Sequence, residues 1–143
     1  SPDWLGRPPR EAHSAVLDTP AGLQGWRLKD VLRKADRVVV PLQASVFDIF
    51  ATRQFLDELH EMHAGESQRI GIVCMRVDPR THAADQLQEF VATLGLPVLG
   101  HLRSTQNYVH LAAHGLTLFD VSPTRVARDL EQWQPLCRWL DAA

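Results

Sequence analysis

Residues 15–22 combine a short apolar run, a carboxylate and a tight turn, in the order Ala-Val-Leu-Asp-Thr-Pro-Ala-Gly. An apolar run at residues 15–17 is typical of a buried parallel strand, which would place Asp18 at the carboxyl edge of a sheet. A carboxylate there can hold a Mg²⁺-bound water, and backbone N–H groups of residues 19–22 can face a phosphate. By residue type alone, a cap for the next helix is the more common role of such a carboxylate, and the context of the segment is what favours the phosphate site.

The loop that would complete a nucleotide site does not appear in the sequence. Phosphate neutralisation at such a site uses a lysine that follows a Gly-rich turn. The two lysines of this chain, Lys29 and Lys34, do not follow a glycine. The sequence therefore contains half of a nucleotide site, and two interpretations are open. The chain is a part of a longer protein, or it has lost the chemistry.

Strand and helix patterns alternate beyond an irregular lead-in at residues 1–14, which contains three prolines. Apolar runs predict strands at residues 15–17, 37–41, 70–75 and 97–102. Helical patterns fall at residues 28–34, 45–64, 81–94 and 104–114, with a last helix beginning near Ser122 and Pro123. This order predicts an α/β fold, a doubly wound and mostly parallel sheet with flanking helices. Ligands of such sheets bind after the strands.

Several local features of these elements can be compared with a structure. Ser45, Ser104 and Ser122 are the predicted helix caps, and Gly65, Gly95 and Gly115 the predicted stops. Residues 116–119 predict an edge strand, and Pro135 should kink or interrupt the last helix. The long helix has a stripe at helical spacing formed by Phe47, Phe50, Leu56, Leu59 and Met62. The stripe of residues 81–94 is Leu87, Phe90, Val91 and Leu94, and that of the last helix is Val126, Leu130, Trp133, Cys137 and Leu140.

Composition limits the classes of partner. The formal net charge is −2 at pH 7, so the whole chain has no attraction to nucleic acid or anionic membrane, although a local patch can still bind either. Two cysteines do not form a disulfide framework, which favours a reducing cytoplasm. The sequence has no apolar run long enough to span a bilayer and no signal segment at its start.

Other titratable side chains form weaker patterns. His60 and His63 share a helix face, as do His110 and His114, but no motif supplies the further ligands of a metal site. Solvated helix faces are the better interpretation of both pairs. Cys74 and Cys137 have no basic or helix-start neighbourhood that would favour a reactive thiolate.

The order and spacing of four segments resemble the ParA/MinD-type partition ATPases, which use a deviant Walker A loop, and ParA most of all. The segments are AVLDTPAG, then ADRVVVPLQASVFDIFATRQFL, then RIGIVCMRVDPRTHAADQL, then GLPVLGHLRSTQNYVHLAAHGLTLFD. The resemblance covers most of the chain. It implies that residues 15–143 are the C-terminal part of a single P-loop NTPase-like domain, without its P-loop segment.

The resemblance implies a role for particular residues. Asp18 would be the Walker B carboxylate, near Mg²⁺ through water. The family carries Asn-Arg where this chain has Met75 and Arg76, and Pro-Arg where it has Leu102 and Arg103. Methionine can pack on a purine face but cannot hydrogen-bond its edge. The switch II residues that sense the γ-phosphate would be Thr19, Pro20, Ala21 and Gly22. Weak candidates for DNA contact are Arg76, Arg80 and Arg103.

The activity implied is that of a partition ATPase with ATP and Mg²⁺ as cofactors. In this family ATP closes a homodimer, the dimer binds DNA non-specifically, and a ParB-like partner stimulates hydrolysis and release. The expected location is the cytoplasm, on the nucleoid when ATP is bound. A MinD-like membrane helix is not expected, because residues 136–143 contain one Arg and one Asp. The full-length chain would be the ATPase, and this piece inactive alone. The alternative is a non-catalytic binding or dimerisation module without a P-loop.

Overall fold

Three parallel strands form one sheet in the order β1-β2-β3. The computed structural model describes residues 9–62 and 69–142. The chain divides into two units with a boundary between Arg33 and Lys34, and the sheet belongs to the second unit. The strands are β1 (Val38–Gln43), β2 (Ile70–Val77) and β3 (Val98–Arg103), which lie within two residues of three of the predicted apolar runs.

The described residues contain five helices, of which the last four belong to the same unit as the sheet. Helix α2 connects β1 to β2, and α3 connects β2 to β3, as the crossover connections between adjacent parallel strands require. The helices are α1 (Gly25–Lys34), α2 (Val46–Met62), α3 (His82–Ala92), α4 (Gln106–Ala113) and α5 (Ala127–Asp141). The protein is therefore an α/β protein with a parallel sheet flanked by helices, and the predicted doubly wound fold is confirmed.

Strand β2 is buried on both of its faces. Val73 packs in a cluster with Leu136 of α5, and alternation along the strand places Ile72 and Cys74 on the opposite face. The side chains of Ile72, Val73 and Cys74 are each at most 2 % exposed. A central strand of this kind needs apolar residues at successive positions, which explains the unbroken apolar run in the sequence.

The predicted strand at residues 15–17 is wrong. These residues have no regular secondary structure, and the side chain of Val16 is 95 % exposed. Ordering a residue costs about 1–2 kcal/mol, while a hydrogen bond contributes only about 1 kcal/mol net. A run of three residues therefore needs a partner strand and a covered face to become a strand, and the described part of the first unit contains neither. The same unit contains α1, which begins before the predicted residue 28.

Helix α2 buries only part of its predicted stripe. Leu56 and Leu59 are buried, whereas Phe47 is 86 % and Phe50 64 % exposed. Helical spacing identifies the residues that share a face, but another element must cover that face to bury them. Ser45 directly precedes the helix as expected, and its carbonyl accepts the N–H of Ile49. The predicted stop at Gly65 lies outside the described residues, as do residues 1–8 of the lead-in.

The caps of α3 and α4 are threonines. Thr81 Oγ1 accepts the N–H of Ala84 at 3.2 Å, which agrees with the predicted start of this helix. Helix α4 is capped by Thr105, whose Oγ1 accepts the N–H of Asn107 at 3.3 Å, and not by the predicted Ser104. Both predicted glycine stops are confirmed, because Gly95 and Gly115 have φ angles of 64° and 67°.

Residues 116–119 do not form the predicted edge strand. Residues Leu118–Asp120 form a 3-10 turn, and Pro123–Val126 form a second one before α5. Asp120 Oδ2 accepts the backbone N–H of Thr117 at 2.7 Å, and Thr117 Oγ1 accepts that of Phe119 at 3.2 Å. These local bonds satisfy the backbone groups that a strand would have offered to a neighbour.

Pro135 does not interrupt the last helix. Helix α5 runs from Ala127 to Asp141 with Pro135 inside it. The proline is exposed, so the carbonyl that lacks its usual N–H donor can be solvated. The predicted stripe is also shifted, because Leu136 is buried while Leu140 is 42 % exposed.

Candidate site at the carboxyl edge of the sheet

Pairing of β2 with β3 brings two predicted dipeptides to one edge of the sheet. Val77 pairs with Arg103 and Cys74 with His101, so both strands end together. Met75 and Arg76 lie near the end of β2, and Leu102 and Arg103 end β3. Because ligands of parallel sheets bind at the carboxyl ends of strands, this edge is the candidate site of the second unit.

Arg103 is held by a buried carboxylate. Its Nε donates to Asp129 Oδ1 at 2.6 Å, and its Nη2 donates to Asp129 Oδ2 at 3.1 Å. Asn107 Nδ2 donates to the same Oδ2 at 2.9 Å. Asp129 is completely buried, whereas 31 % of the Arg103 side chain is exposed. The bidentate pair therefore fixes a guanidinium whose outer edge faces solvent.

The ion pair keeps Asp129 ionised. The hydrogen bond from Arg103 is the main cause that lowers the pKa of Asp129, and it outweighs the effect of burial. The same bond raises the pKa of Arg103. Both partners are therefore charged at neutral pH, where the ion pair is maintained.

Sequence reasoning missed Asp129. Its signal is its position, three residues after Val126 and four before Trp133, on the predicted apolar stripe of the last helix. A carboxylate within a core stripe needs a buried partner, because an unpaired charge is too costly there. The partner, Arg103, follows from the tertiary structure alone.

A second contact joins α5 to the outer edge of β3. Gln132 Oε1 accepts the backbone N–H of Arg103 at 3.0 Å. The next residue of the helix, Trp133, donates through Nε1 to the hydroxyl of Tyr108 on α4 at 3.0 Å. Partial burial is the main cause that raises the pKa of that Tyr hydroxyl. These bonds fix α4 and α5 beside the end of β3.

Arg76 has an unusual backbone conformation. Its φ is +53°, in the left-handed region that costs a residue with a side chain about 1–2 kcal/mol. It lies between Cys74 and Val77, where the pairing with β3 is shifted by a bulge. A bulge redirects the side chain of its residue, and that of Arg76 is exposed.

The apolar members of the two dipeptides belong mainly to the core. Met75 is half-buried against the cluster that contains Val73 and Leu136. Leu102 is 3 % exposed and lies in the same cluster. A ligand at this edge would therefore meet Arg76 and Arg103 before it met their apolar neighbours.

Arg80 has an ion-pair partner in its own loop. Its Nε and Nη2 donate to the two carboxylate oxygens of Asp78, each at 2.9 Å. These hydrogen bonds lower the pKa of Asp78 to about 2. The pair is exposed to solvent, and Asp78 compensates the charge that Arg80 would offer to a DNA phosphate.

The predicted switch segment contains a turn. The N–H of Leu23 bonds to the carbonyl of Pro20 at 3.3 Å, and Gly22 has a φ of 73° that suits glycine. Asp18 precedes this turn in an exposed segment of the first unit that has no regular secondary structure. The structure places Thr19 and Ala21 on the same exposed segment.

The described residues could hold Mg²⁺ only if a bound nucleotide supplied further oxygen ligands. Within residues 9–62 and 69–142, no three His, Cys, Asp or Glu side chains are grouped so that they could hold a metal ion. Mg²⁺ is commonly bound by one or two carboxylates together with waters and substrate phosphates. Asp18 can supply one such ligand through water, while phosphate oxygens would have to supply others.

Two further features of the described residues bear on chemistry. Burial raises the pKa of the Cys74 thiol to about 11, so this thiol is not a nucleophile at neutral pH. His114 Nδ1 lies 2.8 Å from the carbonyl of His110, which occupies one ring nitrogen of this pair. None of the helices in these parts of the chain is long and apolar enough to cross a bilayer.

Comparisons of the chain with protein-family models, with curated proteins and with solved structures give no match. The resemblance to partition ATPases therefore stays a prediction from the sequence. The sheet, its carboxyl edge and the Arg103–Asp129 pair are the observations on which a function can be argued.

Proposed function

We propose that this chain is the part of a ParA-type partition ATPase domain that follows the P-loop. The supporting observation is the pairing of β2 with β3, which joins at one sheet edge the two dipeptides that the resemblance assigns to the nucleotide. Val77 pairs with Arg103, so Arg76 and Arg103 end neighbouring strands. An edge that carries two guanidinium groups at strand ends suits an anionic ligand such as a nucleotide.

In this proposal each candidate residue has a separate role in binding Mg²⁺ and the nucleotide. Asp18 holds a Mg²⁺-bound water, and the turn at residues 19–22 senses the γ-phosphate. Arg76 and Arg103 contact nucleotide oxygens, while Met75 offers an apolar surface to the adenine. Hydrolysis of ATP would transfer its γ-phosphoryl group to water with ADP as the leaving group, and this step would reset the dimer. The dimer binds DNA non-specifically on the nucleoid, and a ParB-like partner stimulates its release.

The test is the molar mass in solution of the longest natural form of the protein, measured by light scattering with and without ATP and Mg²⁺. We expect a shift from monomer to dimer that requires both. Asp18→Ala should abolish the shift, whereas Asp57→Ala, an equal charge change on an exposed site of α2, should preserve it. A monomer in all conditions, or a shift that survives Asp18→Ala, would overturn the proposal.

A second candidate is a binding or dimerisation module that needs no nucleotide. The observation that favours it is the α2 patch, formed by the exposed side chains of Val46, Phe47 and Phe50. Each of them is at least 64 % exposed, and the three lie within one and a half turns of helix. Contiguous exposed apolar surface is typical of a protein contact site.

Light scattering, which measures the molar mass in solution, also tests the second candidate. We expect a nucleotide-independent dimer that is weakened by Phe47→Ser. The matched control is Val109→Ser, which removes an apolar side chain that is 61 % exposed on α4. A monomer at all accessible protein concentrations, or equal effects of the two substitutions, would argue against this module.

A further inference from the structure

A cleft of about 270 Å³ opens beside the end of β3, between α3 and α5. It is smaller than the roughly 300–1,000 Å³ of pockets for drug-sized ligands, so its occupant must be small. Its lining includes side chains that the resemblance does not assign to any role. The polar lining residues are Asp85, Gln88, His101, Arg103, Arg128 and Gln132, and the apolar part is Val77, Pro79, Ala84 and Leu87.

Each of the two amides in this cleft has a polar contact to its oxygen within the protein, and neither NH₂ group takes part in that contact. Gln132 Oε1 accepts from the backbone of Arg103, which leaves its NH₂ group to donate. Gln88 Oε1 lies 3.2 Å from His101 Nε2, so its NH₂ group is likewise the remaining function. The two amides therefore offer donors to a ligand.

The arginines add further donors. Arg103 donates one hydrogen bond from Nε and one from Nη2 to Asp129. Three of its five N–H groups are not used in this pair. Arg128 is exposed, and within residues 9–62 and 69–142 it has no ion-pair partner. Asp85 is the one carboxylate in the lining; Asp129 is not part of the lining, and it forms an ion pair with Arg103.

We propose that this cleft binds the phosphate group of a small phosphate monoester. Donors come from three elements, α3, β3 and α5, and a phosphate with three terminal oxygens can accept from several directions at once. A carboxylate, with two oxygens in one plane, is satisfied by a single guanidinium fork. The apolar side of the cleft, at Val77, Pro79 and Leu87, accommodates the carbon part of the ester. This inference does not depend on the proposed ATPase function.

The test is a titration of the ¹⁵N-labelled 143-residue chain with phenyl phosphate, inorganic phosphate and malonate at constant ionic strength, followed by NMR. We expect saturable shifts that include the backbone amides of His101, Arg103 and Gln132. Phenyl phosphate should bind more tightly than inorganic phosphate if the apolar side contacts the ester. Equal binding of the two phosphates would identify free phosphate as the ligand and would overturn the monoester. Tighter binding of malonate would overturn the phosphate assignment.

Two substitutions should move the affinity in opposite directions. Arg128→Gln removes a charged donor and should weaken phenyl phosphate binding about tenfold. Asp85→Asn removes the opposing charge and should tighten it. The matched control is Arg125→Gln, the same charge change on an exposed residue outside the cleft, which should leave the affinity unchanged. Equal losses for Arg125→Gln and Arg128→Gln, or shifts that do not saturate, would overturn the site.

Discussion

At the scale of single residues, Asp129 is the side chain on which the carboxyl edge depends most. It is completely buried and binds Arg103 through both oxygens, and Asn107 through one. Removing one partner of a fully buried pair costs about 3–5 kcal/mol, because the other charge is left without compensation. Since Arg103 is partly exposed, its loss of a partner is relieved in part by water.

Asp129→Asn should therefore lower the free energy of unfolding by about 3 kcal/mol, the low end of that range. Urea denaturation at pH 7 measures the change. The control is Asp57→Asn on the exposed surface of α2, which should alter stability by less than about 0.5 kcal/mol. Similar effects of the two substitutions would show that the Asp129 pair contributes nothing of its own.

The same carboxylate should make stability depend on pH. Its pKa is lower in the folded protein than in the unfolded chain, where it is about 3.9. The stabilisation is thus fully present above about pH 4 and is lost as the pH falls through the folded value. We expect the difference in unfolding free energy between wild type and Asp129→Asn to shrink as the pH falls from about 4 to about 2, within the range of about pH 5 to 1 in which a depressed Asp titrates. Urea titrations across this range would measure it, and a constant difference would contradict the assignment.

Arg76 permits a test of its backbone that is independent of its side chain. Arg76→Ala and Arg76→Gly both remove the guanidinium, but only glycine adopts a φ of +53° without strain. We expect the Gly variant to be more stable than the Ala variant by about 1 kcal/mol, as measured by urea denaturation. The reverse order, which is normal for a strand, would mean that this residue is not left-handed in solution.

At the scale of elements, the starts of the helices differ more from the prediction than the starts of the three paired strands. The strands β1, β2 and β3 follow from apolar runs, since a buried strand has no other way to cover both faces. The start of α4 has two adjacent candidate caps, Ser104 and Thr105, and residue type does not separate them. Only the backbone geometry selects Thr105, whose hydroxyl accepts the N–H of Asn107.

Thr105→Ala should accordingly lower stability by about 1 kcal/mol, whereas Ser104→Ala should have almost no effect. Thermal or urea denaturation of the two variants, which differ by one position and one methyl group, gives the comparison. A larger loss for Ser104→Ala would restore the cap that the sequence predicted.

At the scale of the whole molecule, the proposed ATPase activity requires groups that this 143-residue chain does not contain. Phosphate neutralisation in P-loop enzymes needs the loop lysine as well as Mg²⁺. The sequence contains no lysine after a Gly-rich turn. The nucleotide function of the proposal therefore needs a phosphate-neutralising lysine that these 143 residues do not contain, while the edge with Arg76 and Arg103 is present in them.

We expect ATP with Mg²⁺ to leave the molar mass of the 143-residue chain unchanged in light scattering. The two arginines at the strand ends, Arg76 and Arg103, do not by themselves neutralise a triphosphate. Phenyl phosphate binding in the cleft should persist in the same sample, which separates the two hypotheses. A dimer of this chain that forms only with ATP would contradict this prediction and would place the complete nucleotide site within these residues.

The sequence by itself determined the fold class, the three paired strands and the positions of the helices, because these depend on the spacing of apolar residues along the chain. It also indicated Arg76 and Arg103 as candidates at strand ends. The tertiary structure decided which side chains are buried and which distant charges pair, because the spacing of residues along the chain does not specify these contacts. It left residues 15–17 out of the sheet and Phe47 and Phe50 in solvent, because burial needs a covering element. It paired Arg103 with Asp129, 26 residues away, because only packing brings distant charges together.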